Sequence, residues 1–445
     1  MKVIALVDGE HYPPITRWGL DAARQAGHEV LLALLVGGVE KLGADRSLDL
    51  GSVPVIHAEA EPRAALAAAI REHRPEAVLD LSDEPVMGYE RRMELAGVAL
   101  SMGIAYLGSD FRFDPPILES ALPVSTLAVI GAGKRVAKTA IAGHTARLAV
   151  AEGLRPTIVA MGRGGPPDPV RAGPDDVSLE ALLARADRGE HAASDYLEDA
   201  LTSGVPSVGA RRCGGGLAGA PFVSNVREAA GVGMDLGAGT LILEASGATV
   251  PPIPWDAGIL ATPATLPAEF LEGYMGPFRI LLSDLVVVTM TTGLEFGPGN
   301  LFALTSTVKR LHEGAHIAVT DFQPAPLGDV WGKAVYFATT APRDAAERQA
   351  THLREAHGCR VVGVTDRLAD RAALARDLAS AEDYDVLLTE LKAAAVDVAA
   401  RAAMERGAEV VFVDNRPVDV GDGPSLRPLI EETLRLAHSR YEDRT

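Results

Sequence analysis

The chain has 445 residues, 47% hydrophobic and 23% charged, with 45 glycines and 29 prolines dispersed along it. At roughly 100–200 residues per domain this allows several domains, and it excludes collagen, wholesale disorder and a disulfide scaffold. Lysine and arginine number 42 against 60 acidic residues, a net charge of −18, which argues against a general nucleic-acid binder and means that any anionic substrate needs a local basic pocket.

The first 120 residues alternate strands and helices: strand 3–7, helix 18–26, strand 30–36, helix 64–71, strand 77–81, helix 91–102 and strand 105–107. That rhythm predicts a Rossmann-like doubly wound α/β domain. Asp8-Gly9-Glu10-His11-Tyr12-Pro13-Pro14 follows the first strand, where such a sheet binds its ligand. It lacks the glycine spacing of a dinucleotide fingerprint, so no NAD site is expected. Asp8, Glu10 and His11 are candidates for substrate binding, with an interdomain contact as the alternative.

Around Asp114-Pro115-Pro116 the rhythm breaks, giving expected domains of 1–120, 121–340 and 341–445. The second opens with strand 125–130, a glycine-containing loop and helix 140–152. Further strands are expected at 157–161, 241–244, 285–289, 316–320, 334–338, 361–364, 386–388 and 410–413, with an exposed loop over 162–176. Helices at 366–380 and 391–406 make the last hundred residues more parallel α/β, either continuing the sheet or forming a small lobe. The fold class is thus a Rossmann-like domain followed by a P-loop NTPase-like parallel-sheet domain with a C-terminal α/β extension.

The loop reads Gly131-Ala132-Gly133-Lys134-Arg135-Val136-Ala137-Lys138-Thr139. Strand, glycine loop and a helix opening with Lys-Thr form a phosphate cradle, in which backbone N–H groups face the phosphates, lysine neutralises them and the hydroxyl takes Mg²⁺. Gly131, Gly133, Lys134, Arg135, Lys138 and Thr139 are the candidate nucleotide-binding residues. The spacing is one residue longer than the common form and resembles the loop of the dethiobiotin synthetase branch, with Ala137 where glycine usually precedes the lysine. Lys134 and Arg135 add charge for a second anionic group or for the transition state, so Lys134, Arg135 and Lys138 are the candidate catalytic residues. Glu244, at the end of a hydrophobic run, is the candidate Mg²⁺-organising acid beside Thr139, with Asp235 and Asp284 as rivals. Arg211-Arg212 before three glycines, and Arg163 before two, are candidate anion donors. Lys392, expected to open a helix, joins them as a candidate substrate contact.

Taken together, the segment 8–14, the loop 131–139 and Thr389-Glu390-Leu391-Lys392-Ala393-Ala394-Ala395-Val396-Asp397 resemble the cyclic 2,3-diphosphoglycerate synthetase family over most of the chain. The resemblance implies a cytoplasmic ATP- and Mg²⁺-dependent ligase converting 2,3-diphosphoglycerate and ATP to the cyclic phosphoanhydride, ADP and phosphate. No nucleic acid or membrane partner is expected, and a homodimer is. The alternatives are a related P-loop kinase or carboxylate-activating ligase on another anionic small molecule, or a dimeric regulatory P-loop ATPase.

Overall fold

The computed structural model describes residues 1–39, 42, 48–117, 119–292 and 297–445. The first sheet contains β1 (Lys2–Val7), β2 (Glu29–Leu35), β3 (Val55–His57), β4 (Ala77–Asp80), β5 (Ala105–Leu107) and β6 (Arg112–Phe113), in the order β3-β2-β1-β4-β5-β6. Its pairs are parallel apart from β5–β6. From Val3 onward β1 is buried, as its unbroken run of apolar residues requires when helices cover both faces of a parallel sheet. The covering helices are α1 (Pro13–Gln25), α2 (Pro62–His73) and α3 (Tyr89–Ser101). Strand order reverses between β1 and β4, which puts Asp8 at the crevice where such sheets take ligands.

The remaining strands form one sheet: β7 (Ser125–Gly131), β8 (Pro156–Gly162), β9 (Val170–Ala172), β10 (Ser207–Cys213), β11 (Val223–Ser224), β12 (Thr240–Glu244), β13 (Ala257–Pro263), β14 (Leu285–Thr289), β15 (His316–Pro326), β16 (Ala334–Ala338), β17 (Arg360–Thr365), β18 (Val386–Thr389) and β19 (Glu409–Asp419). Their order is β11-β10-β8-β12-β7-β13-β14-β15-β19-β18-β16-β17, with β9 beside β10. From β10 to β15 the pairs are parallel and β7 is central. Strand β15 then meets β19 antiparallel, from Thr320 opposite Asp419 to Pro326 opposite Val413. The C-terminal strands therefore continue the phosphate-loop sheet through an antiparallel seam.

The helices after α3 are α4 (Lys138–Ala151), α5 (Leu179–Asp187), α6 (Asp195–Ser203), α7 (Val226–Asp235), α8 (Ala268–Glu272), α9 (Gly276–Leu281), α10 (Gly297–Leu311), α11 (Arg343–His357), α12 (Arg371–Ala379), α13 (Arg401–Glu405) and α14 (Leu426–Arg444). Helix α14 buries Leu426, Leu429, Ile430, Leu434 and Ala437 in one core with Leu127 and Val129 of β7 and Ile141 and Ala142 of α4. The first domain packs on the second through α3 and α9. Met275 and Phe278 share a core with Leu95 and Tyr106, and a Cβ at Gly97 would lie 2.9 Å from the Phe278 nitrogen.

Three expectations are corrected. The segment 162–176 is not all loop, because β9 pairs antiparallel with β10 and a 3₁₀ turn covers Pro174–Val177. The helix expected from 366 starts only at Arg371, where the Asp370 side chain accepts from the Ala373 N–H at 3.0 Å. Lys392 does not open a helix: Ala393 has φ 49°, and the helical stretch begins with a π-helical segment, Ala395–Ala400. Strands β10 and β13 were not anticipated. In β13 a Cβ at Gly258 would stand 2.4 Å from the Leu282 carbonyl oxygen, so close approach of backbone selects glycine where strand composition argues against it.

Candidate active site

Strand β7 delivers the phosphate loop to the carboxyl edge of the sheet, and α4 starts directly after it. Two of its residues hold left-handed backbone, Arg135 at φ 59° and Ala137 at φ 67°. Ala137 occupies the position that favours glycine. We expect Ala137→Gly to raise stability by about 0.5–1 kcal/mol and Ala137→Val to lower it by more than ~1 kcal/mol, read from urea midpoints.

Lys138 is 8% exposed, and its Nζ donates to the Gly133 carbonyl oxygen at 2.9 Å. A Cβ at Gly131 would lie 2.9 Å from Lys138 Cδ and 3.0 Å from Nζ, so only glycine lets the lysine lie back along the loop. Burial pushes the Lys138 ammonium down to about 8, opposed by Glu244 and Asp195. Thr139 Oγ1 donates to Glu244 Oε1 at 2.7 Å. Glu244 ends β12 opposite Val129 of β7 and Ala160 of β8, which sets its carboxylate beside the loop. Its Oε2 is buried with no donor among the described residues, and burial with the nearby Asp195 charge pushes it up to about 7. The two rivals lie elsewhere. Asp235 is exposed at the end of α7, and Asp284 precedes β14 at the opposite sheet edge, where Arg440 Nη2 holds it at 2.8 Å.

A pair of guanidinium groups faces this carboxylate edge. Gly247, at φ 63°, has Arg163 Nη2 at 2.7 Å and Arg212 Nη2 at 3.4 Å from where its Cβ would be. Arg212 donates to the carbonyl oxygens of Gly214 and Ser246 at 2.5 and 2.8 Å, while burial and Arg163 push its pKa down. Arg211 turns away, as adjacent strand residues must, and its Nε and Nη2 donate to the Gly165 carbonyl oxygen at 3.1 Å.

Three family models match in sequence order: the cyclic 2,3-diphosphoglycerate synthetase N-terminal domain over 2–114, its P-loop domain over 126–320 and its C-terminal domain over 326–416. A cyclic 2,3-diphosphoglycerate synthetase of Rubrobacter xylanophilus is 44% identical over 96% of this chain and 97% of its own length. The chain belongs to the cyclic 2,3-diphosphoglycerate synthetase family. The enzymes of that name from Methanothermobacter thermautotrophicus and Thermococcus kodakarensis are 40% and 42% identical, over 95% and 97% of this chain and 93% and 98% of theirs.

In this member of the synthetase family the other candidates are scattered. Lys134 and Arg135 are exposed on the phosphate loop. Glu10 and His11 stand on the other sheet, where Asp8 Oδ1 accepts from both backbone N–H groups, at 2.9 and 3.0 Å, and lies 2.9 Å from His11 Nδ1. Lys392 reaches the site indirectly, its Nζ lying 3.0 Å from Glu198 Oε1 on α6. Glu198 and Glu390 hold the lysine charged against burial, whereas burial pushes Glu198 itself up to about 8 despite the ammonium. The pair is lopsided because Glu198 also faces Asp195 and Glu390.

Sequence reasoning missed the acids of α6. Asp195, Glu198 and Asp199 share one helix face, and Asp199 is fully buried with no donor on either oxygen among the described residues. Burial first and the Glu244 charge second push Asp199 well above the ordinary carboxyl range. Also missed is a cavity of about 180 Å³ bounded by Ala132, the residue after β7, by Leu217, Ala248 and Tyr274, and by the buried Arg279.

Proposed function

We propose that this protein is an ATP-dependent ligase that closes 2,3-diphosphoglycerate into its cyclic phosphoanhydride, releasing ADP and phosphate. The observation that carries the reading is the Thr139 hydroxyl on the buried Glu244 carboxylate beside Lys138, faced by Arg163 and Arg212. Lys138, Gly131 and Gly133 cradle the ATP phosphates, with Lys134 and Arg135 free at the surface to reach the transferring group. Thr139 and Glu244 would hold Mg²⁺, and the donorless Glu244 Oε2 fits a cation ligand. Bound there, the ion neutralises phosphate charge.

The acceptor brings two phosphates onto adjacent carbons, and holding them together needs positive charge close by. Arg163 and Arg212 supply it, with Arg211 and, through the Glu198 ion pair, Lys392 at the rim; Glu10 and His11 remain a second, more distant acceptor contact. One acceptor phosphate oxygen attacks the γ-phosphorus and ADP leaves. The neighbouring phosphate oxygen then attacks the inner phosphorus of the new diphosphate, expelling orthophosphate and forming the ring P–O–P bond. The same reading takes 1–120, 121–340 and 341–445 as the domains and a cytoplasmic homodimer as the working form; the two cysteines, both free, suit a reducing compartment. No helix among the described residues is long and apolar enough to cross a membrane.

³¹P NMR of the protein with Mg²⁺, ATP and 2,3-diphosphoglycerate is expected to show ring phosphoanhydride resonances growing with ADP and free phosphate. ATP left intact, or phosphate left on an acyclic product, would refute the assignment.

A further inference from the structure

The connection between α8 and α9 holds two adjacent non-glycine residues in left-handed backbone, Tyr274 at φ 48° and Met275 at φ 60°. Such a conformation persists only where the surroundings impose it. Arg279, 4% exposed, does so. Its Nη1 donates to the carbonyl oxygens of Tyr274 and Met275 at 3.1 and 3.0 Å, its Nε to Ala248 at 3.0 Å, and its Nη2 to Ala248 and Leu217 at 2.7 and 3.3 Å. All five donors of the fork are engaged by carbonyl groups of three separate segments.

No carboxylate among the described residues balances this cation, and burial alone pushes it down to about 10. An unpaired buried charge is expensive unless something answers it. The three segments it ties are walls of the 180 Å³ cavity whose other side is Ala132 of the phosphate loop. Behind α9 stands the first domain: the Tyr89 hydroxyl accepts from the Tyr274 N–H at 2.8 Å, and Gly97 lets α3 come close to Phe278.

We propose that this cavity seats the three-carbon skeleton of the acceptor beside the phosphate loop, its phosphates on Arg163 and Arg212 next to Ala248, with Arg279 as the positioning residue that fixes its walls and the first domain as the brace behind it. The proposal rests on the ligase reading above and gives the N-terminal domain a part in it.

Steady-state kinetics with both substrates test it. Arg279→Lys keeps the charge and loses the fork, so KM for 2,3-diphosphoglycerate is expected to rise about tenfold while KM for ATP stays within about twofold. Arg279→Met, which loses both, should raise the acceptor KM further. Leu217→Trp decides the matter if the arginine variants do not fold. Leu217 is 63% exposed and lines the cavity, so the larger ring should raise the acceptor KM at least ~5-fold with the melting temperature unchanged. A wild type that cyclises 2,3-diphosphoglycerate, with Leu217→Trp kinetically silent and Arg279→Lys shifting both KM values alike, overturns the pocket and leaves the ligase standing. A wild type that does not consume 2,3-diphosphoglycerate overturns both.

Discussion

Lys138→Ala is expected to lower kcat by about 10³-fold or more, with the ring resonances absent from the ³¹P spectrum after a wild-type reaction has finished. The buried ammonium, resting on the Gly133 carbonyl, is the one cation in the loop already screened from water, so its charge acts on phosphate at full strength. Its depressed pKa of about 8 adds a pH signature. As pH rises through that value the free enzyme loses the ammonium, and kcat/KM for ATP should fall about tenfold per pH unit above it. A plateau extending past pH 9.5, or a Lys138→Ala variant within tenfold of wild type, would remove the lysine from the mechanism.

Glu244→Gln should separate function from stability. Turnover is expected to drop by at least ~10²-fold, with a weakened response to Mg²⁺, because the anionic end of the Thr139–Glu244 pair is gone. Folding raises the Glu244 pKa from 4.5 to about 7, so between those values the folded protein holds a proton the unfolded chain has released. That contribution favours the folded state fully below about 4.5 and is lost as pH climbs through about 7. The amide carries no such loss. Nucleotide-free Glu244→Gln should therefore melt about 2–4 °C above wild type at pH 8 and close to it at pH 5, by calorimetry. Equal shifts at both pH values would mean that the carboxylate is not strained in the resting protein.

The phosphate loop was legible because its chemistry is local: glycines, lysine and threonine lie within nine residues between a strand and a helix. Glu244 was legible from its place at the end of an apolar run. The acids of α6 were not, since Asp195, Glu198 and Asp199 resemble an ordinary solvated helix face until tertiary contact buries Glu198 and Asp199, the latter against Glu244. Arg211 and Arg212 looked like a single clamp because β10 was unrecognised, and the strand period sends them to opposite sides. Arg279 carried no local signal at all, because its partners are backbone carbonyls from two distant segments and from the turn just before its helix. Lys392 was found for its charge, but its bond to Glu198 depends on a sheet whose C-terminal strands join across the antiparallel β15–β19 seam.

The packing of α14 against β7 sets a timetable for synthesis. Leu127 and Val129 of β7 share a core with Leu429, Ile430 and Leu434, which are synthesised about three hundred residues later. At ~5–20 residues per second, the underside of the phosphate-loop strand waits roughly 15–60 s for its cover. During that interval the chain displays an adhesive apolar strip, so holdase chaperones should bind chains truncated before residue 426 and release chains that carry α14.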